Sequence, residues 1–279
     1  MRAGVALLVA ALMVLPVGAA PDPHPAGRVV SLSLCADQFL LALDAQAQIA
    51  GLTRLAGDDH LSPYADRAAG LPIHDGTAES VLMLKPDLVI TGGYARAQTV
   101  GMLERLGVPI LRLKTAQTLA DIPPQIEQVA SALGRAAAGR ALADRLRAKL
   151  SEPAAGLRPT AALYRPGGDV PGSRGIVNDM MKAAGLQNIG GDLSGRPNGR
   201  VAVESLLLNP PDLLVLDSVR PDRPGIGQSV LDHPALAAAQ AEMAIATFQI
   251  AWWLCASPAS IAGVEHLADV AGKALGGRR

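Results

Sequence analysis

Two stretches of this chain are nearly the same. ESVLMLKPDLVITGGY begins at Glu79 and ESLLLNPPDLLVLDSV at Glu204, and six of the first ten positions are identical without a gap. The identical pairs are Glu79/Glu204, Ser80/Ser205, Leu82/Leu207, Pro86/Pro211, Asp87/Asp212 and Leu88/Leu213. The two copies are 125 residues apart (204 minus 79). That period exceeds the ~20–50 residues of a solenoid unit and matches a domain of about 100–150 residues. Each copy has the same local logic. An acidic residue in a first helical turn meets the positive end of the helix dipole. The residue before proline avoids the helical region, so the helix stops there, and an apolar strand follows. A chain of 279 residues is long enough for two such lobes, each with its own core.

The rest of the chain fits that frame. Arg28 to Leu34, Ile49 to Leu52, Leu88 to Thr91 and Val108 to Leu113 read as strands, continuous rather than alternating in their apolar residues. Between them, helices are expected from Cys35 through Leu43, from Ala78 (capped by Thr77) and from Arg96 to Leu106. Strands that alternate with helices and are apolar on both faces signal a covered parallel sheet. Residues from Ile122 to about Glu152 contain no strand and read as a helix from Ile122 to Gly134, with Pro123 and Pro124 at its start, where proline is tolerated, followed by a long Ala- and Arg-rich helix from Arg135. The alternation then restarts with strands at Thr160 to Tyr164, Leu213 to Leu216 and Ala244 to Phe248, and a last helix from Ser257 to Leu275. The expected fold is α/β, two Rossmann-like lobes with parallel central sheets joined by one long interlobe helix and a ligand cleft between them. The expected boundaries are 1–20 leader, 21–27 linker, 28–121 first lobe, 122–156 helical connector and 157–279 second lobe.

Arg2, the apolar run Ala3 to Val17 and Gly18-Ala19-Ala20 have the layout of a cleavable secretory signal, so the mature protein is expected in the periplasm. In such an oxidising compartment the two cysteines, Cys35 and Cys255, read first as a disulfide. Two free thiols, or ligation of a soft metal, are the other readings. A net charge of zero gives no electrostatic case for nucleic acid. The five histidines show no metal-site spacing, so no metal site and no permanently bound cofactor are expected. The sequence contains no G-x-S-x-G, H-E-x-x-H or Walker loop, and the chain is not expected to be an enzyme. A periplasmic hydrolase with an unrecognised site, or a receptor for a bare metal ion, are the alternatives.

In open α/β sheets, ligands bind beyond the carboxyl ends of the strands. In the first lobe those ends carry Cys35, the Asp58-Asp59-His60 loop, Tyr94 and Lys114, and in the second Arg165, Ser218, Trp252 and Trp253. Cys35, Tyr94, Arg165, Ser218, Trp252 and Trp253 are the candidate ligand contacts. A tryptophan ring suits stacking on a flat ligand, and a guanidinium suits an anionic group. Adjacent tryptophans point in different directions, so one is expected in the core and one towards the cleft.

Three stretches together, RVVSLSLCADQFLLAL, ESVLMLKPDLVITGG and DHPALAAAQAEMAIATFQIAWW, resemble the periplasmic substrate-binding proteins of ABC importers, in the class with a rigid helix between lobes. That class includes vitamin B12, ferric-siderophore and haem receptors, and the likeness runs from Arg28 to Leu275. The resemblance implies a monomeric receptor whose cargo is a metal chelate, a ferric siderophore or a corrinoid before haem. It also implies that one surface glutamate per lobe, Glu79 and Glu204, docks onto arginines of the membrane permease subunits.

Overall fold

The computed structural model describes residues 25–93, 95–151, 158–218 and 226–277. The expected leader, residues 1–20, and Tyr94 lie outside the described residues. Strands β1 (Val29–Ser31), β2 (Ile49–Thr53), β3 (Ile73–His74), β4 (Leu88–Thr91) and β5 (Ile110–Arg112) form a sheet in the order β3-β2-β1-β4-β5. Every pairing in it is parallel. The parallel sheet of the second lobe runs β11-β10-β6-β8. Its members are β6 (Thr160–Tyr164), β8 (Gln187–Asn188), β10 (Leu213–Ser218) and β11 (Ala244–Gln249). A separate antiparallel ribbon pairs β7 (Asp169–Pro171) with β9 (Asn198–Arg200).

Twelve α-helices complete the main elements of the described residues. The first lobe carries α1 (Leu34–Ala42), α2 (Ala65–Ala68), α3 (Ala78–Met83) and α4 (Ala97–Arg105). Between the sheets lie α5 (Ile122–Ala132) and α6 (Ala136–Ser151). The second lobe carries α7 (Ile176–Ala183), α8 (Gly190–Ser194), α9 (Val203–Leu208), α10 (Pro234–Ala238), α11 (Ala251–Leu254) and α12 (Ser260–Gly276).

The repeated stretch has a physical reading in both lobes. Asp87 Oδ2 accepts hydrogen bonds from the backbone N–H of Gly27 (2.8 Å) and Arg28 (3.0 Å), at the entry to β1. Asp212 Oδ2 accepts from Thr160 N (2.7 Å) and Thr160 Oγ1 (2.8 Å), at the first residue of β6. In each lobe the repeat's aspartate therefore pins the incoming strand to its central neighbour. The register agrees, since Val29 pairs with Leu88 and Ala161 with Leu213. One residue position in each short helix, Val81 and Leu206, is fully buried and anchors it on the sheet.

Thr77 caps α3 by accepting from Ser80 N, and prolines occupy the first turn of α5. The connector consists of two helices. Gly134, with φ +69°, breaks it into α5 and α6, which fold back on each other. A Cβ at Gly139 would collide with Ala130, so the close approach of the two helices requires glycine there. The 16-residue α6 is about 24 Å long. The segment Ala251–Leu254 forms the single helical turn α11. None of the described helices is long and apolar enough to cross a membrane.

One apolar core runs from the first lobe into the second, through Phe39, Ile122 and Leu146 to Met180, Phe248 and Trp253. Polar contacts reinforce that junction. Ser257 Oγ donates to Gln38 Oε1 at 2.5 Å, and Leu119 N donates to Asp179 Oδ2 at 3.1 Å. The Gln38 Nε2 group is buried there without a partner.

Candidate functional site

The site grows from the carboxyl end of β1. Ser33 caps α1 by accepting from Ala36 N, which fixes Cys35 in the first turn of that helix. At the far end of the chain, β11 ends at Gln249 and α11 turns immediately, placing Cys255 at its C-terminal boundary. Cys35 and Cys255 form a disulfide with Cα atoms 5.2 Å apart, across 220 residues of chain. That separation suits disulfide geometry. The bridge joins the two lobes at the sheet edges where ligands are expected, and it displaces the free-thiol and metal-ligation readings.

Three adjoining cavities follow the carboxyl edge of the first sheet. The first, about 150 Å³, lies between the lobes and is lined by Cys35, Phe39, Lys114, Gln125, Ile176 and Trp253 among others. The second, about 310 Å³, is nearly all apolar, with Leu32, Leu34, Leu55, Leu254 and the disulfide on its walls. The third, about 260 Å³, is lined by Arg54, His74, Asp75, Arg96 and Thr99 with Leu32, Thr53 and Leu55. Ser33, Cys35 and Leu254 are common to the first two, and Leu32, Thr53 and Leu55 to the last two. They form one trough, within the ~300–1,000 Å³ range of small-molecule sites, and the disulfide stands beside its middle.

Beneath the trough, buried polar groups hold its walls. Asp37 is fully buried, accepting from Ser31 Oγ, from Thr53 N (3.2 Å) and from Thr53 Oγ1 (2.5 Å). It thereby ties α1 to β1 and β2. Burial pushes its carboxyl up to about 7, and the hydrogen bonds from Ser31 and Thr53 offset part of that rise. His74 Nε2 donates to Ser31 O at 2.7 Å while its Nδ1 accepts from Gly76 N at 3.0 Å. Both ring nitrogens are therefore occupied, and burial lowers its pKa, so the imidazole is a neutral wall rather than a metal ligand. Hydrogen bonds from Ser80 and Thr77 hold the Asp75 carboxyl below the usual carboxylate range.

The arginines differ in kind. Arg165 faces Asp217 (Nε to Oδ2 3.6 Å) and Asp169 (Nη1 to Oδ2 3.5 Å), so its charge is met inside the second lobe. Burial raises the Asp217 carboxyl to about 6, opposed by Arg165 and by the indole N–H of Trp253. Arg54 and Arg96 are exposed at the trough's polar end. Neither makes a side-chain hydrogen bond or ion pair among the described residues. They can receive an anion. Sequence reasoning passed over both, although Arg54 directly follows β2 and the strand-end rule that selected Cys35 would have selected it.

The other candidates are distributed as follows. Trp253 is 4% exposed, its ring 4.5 Å from Phe248 and its Nε1 donating to Asp217 Oδ1 at 3.3 Å, and it also lines the first cavity. Trp252 packs against His266, 5.7 Å between ring centres, and is not among the residues lining the trough. Ser218 ends β10, and Tyr94 falls outside the described residues. His60 pairs with Asp59 at 3.9 Å, away from the trough. Among the described residues no cluster of three or more His, Cys, Asp or Glu could hold a metal ion. Glu79 and Glu204 are both exposed in the first turns of α3 and α9.

Comparison with known proteins places this architecture. A family model described as periplasmic binding protein matches residues 29–243. No curated protein sequence matches the chain. Among solved structures, the periplasmic heme-binding protein RhuT of Roseiflexus sp. RS-1, in apo form, is 24% identical with a TM-score of 0.71, covering 89% of this chain and 98% of its own. The periplasmic vitamin B12-binding protein BtuF of Vibrio cholerae is 20% identical with a TM-score of 0.65, over 90% and 98% of the two chains. A protein of an ABC-type Fe3+-hydroxamate transport system from Saccharomonospora viridis is 21% identical with a TM-score of 0.63, over 89% and 94%.

Proposed function

The chain belongs to the periplasmic binding protein family, and from that premise we propose that it captures an anionic iron chelate in the interlobe trough and hands it to an ABC permease. The observation that carries the chemistry is the pairing of an apolar floor, Leu32, Leu55 and Leu254, with Arg54 and Arg96, uncommitted among the described residues, at one end. A flat or rounded organic ligand buries its apolar body on such a floor. A guanidinium without an internal partner has its full hydrogen-bonding capacity available for a carboxylate or phenolate. Haem, with two propionates, and ferric siderophores with charged chelating groups both have this character. Cobalamin, whose periphery is mostly neutral amide, fits it less well. The order suggested by the sequence, siderophore or corrinoid before haem, therefore changes to anionic iron chelates before corrinoids.

The supporting geometry is preorganisation. The disulfide and the shared core hold the lobes together before any ligand arrives, so little binding energy is spent on closure. The leader and the exposed glutamates support export to the periplasm and docking through Glu79 and Glu204, one on each lobe. Residues 28–121 and 157–279 are the proposed lobes, with 122–156 as connector and the receptor acting as a monomer.

The test is a titration of the mature chain with haemin, a ferric catecholate siderophore, a ferric hydroxamate siderophore and cyanocobalamin, read by ligand absorbance and tryptophan fluorescence. The reading expects saturable one-to-one binding below micromolar concentration for an anionic chelate. Binding of cyanocobalamin alone would replace the anionic reading with a corrinoid one. Turnover of an ester or peptide substrate without tight binding of any chelate would favour a hydrolase.

A further inference from the structure

The repeat places more than a glutamate on each lobe. Helix α3 ends at Met83 and helix α9 at Leu208, positions that correspond in the 125-residue repeat (208 minus 83). They are the two most exposed large hydrophobic side chains among the described residues, at 82% and 79%, and the next, Leu106, is 56% exposed. Each lies four residues after its lobe's exposed glutamate, so Glu79 with Met83, and Glu204 with Leu208, share one helix face. The opposite face of each helix is buried through Ala78 and Val81 in one lobe and Val203 and Leu206 in the other. The helix dipole accounts for a glutamate in the first turn. It gives no reason for a methionine or leucine standing almost free in water one turn later, and still less for the same choice in both lobes.

We propose that Met83 and Leu208 are apolar anchors that act with Glu79 and Glu204 to dock the receptor on its permease, one acid-and-apolar pair per lobe. This rests on the permease reading given above. The partner implied by the surface has two matching halves, because the feature occurs once on each of two similar lobes. Each half of that partner presents a basic side chain beside an apolar recess, complementary in charge to the glutamate and in polarity to the anchor. In such an interface the desolvated apolar residue carries affinity, while the charge pair sets orientation and association rate.

The experiment measures binding of the full mature chain to the cognate permease–ATPase complex in nanodiscs of phosphatidylethanolamine and phosphatidylglycerol. Met83→Gln and Leu208→Gln are each expected to raise Kd about 10-fold, and the double variant about 100-fold. Thermal stability and chelate affinity should stay at wild-type values, since neither side chain lines the trough. If the double variant binds within twofold of wild type while Glu79→Gln with Glu204→Gln binds more weakly, docking by glutamate stands and the anchors are refuted. If neither pair weakens binding, the docking reading itself fails. Equal binding of wild type to empty nanodiscs would assign the anchors to lipid and overturn the proposal. Loss of a wild-type dimer in the double variant, with unchanged permease affinity, would assign them to self-association and overturn it as well.

Discussion

Removing the Cys35–Cys255 bridge perturbs this molecule at its most constrained point. The bond closes a loop of 220 residues. For that length the chain-entropy model gives about 5 kcal/mol of stabilisation at 25 °C, exerted on the unfolded chain. The roughly 250 residues after the proposed leader unfold with an entropy near 0.5 kcal/mol per degree, so the loss corresponds to about 10 °C in Tm. The native fold should survive, because the lobes also share a continuous core, the Gln38–Ser257 bond and the Leu119–Asp179 bond. The assay is calorimetric melting of the oxidised wild type against Cys35→Ser with Cys255→Ser, with far-ultraviolet circular dichroism as the fold check. An unchanged spectrum and a Tm lower by about 10 °C are expected. A Tm within about 2 °C of wild type, or two thiols titrating in the native, unreduced protein, would refute the reasoning.

Three further outcomes follow from the polar framework. The folded-state pKa of Asp37 lies near 7, above its ordinary 3.8. The stability from this difference is therefore complete below about pH 4 and lost as pH rises through 7, to a total of about 4 kcal/mol. Asp37→Asn should flatten much of the fall in urea stability between pH 5 and 8, with a residual slope from Asp217, whose carboxyl is raised in the same direction; an unchanged slope would contradict this. Asp87→Ala and Asp212→Ala should each cost about 1–2 kcal/mol by denaturant midpoint, and nearly add in the double variant because they lie in separate lobes. A negligible cost at either site would remove the strand-pinning explanation of the repeat. Arg54→Ala and Arg96→Ala should each weaken an anionic chelate about tenfold at low salt, with a smaller effect at high salt, and leave a neutral chelate unaffected. Equal weakening of both chelates would mean the arginines act on the fold.

Much of the fold was legible in the sequence because its strands are continuous apolar runs and its helix ends carry caps, prolines and glycines. The repeat made two lobes the natural reading, and its aspartate proves to pin the strand entry in both. What escaped were elements without a local pattern. Strand β3 is two residues long, and the ribbon of β7 with β9 joins segments that are polar or rich in glycine and proline. The tryptophan pair was legible only as a pair. The single turn of α11 rotates one ring onto Phe248 and Asp217 and the other onto His266, a choice made by tertiary packing. Arg165 could not be told from Arg54 in the sequence, since its partners Asp169 and Asp217 meet it only in the folded lobe. Arg54 and Arg96 come together across 42 residues of chain (96 minus 54) at the mouth of one cavity, and only the fold brings them there.

Whether the trough holds the cargo is the most direct question. Native mass spectrometry of the mature chain, incubated with haemin, ferric siderophores of both classes and cyanocobalamin together, would measure this. A second sample carries Leu55→Arg and Leu254→Glu, at side chains that are 47% and 42% exposed in the trough and can be exchanged without opening the core. The account predicts one anionic chelate per wild-type chain and none on the plugged variant, with matching melting temperatures. An adduct that persists on the plugged variant, or no adduct on either, would contradict it.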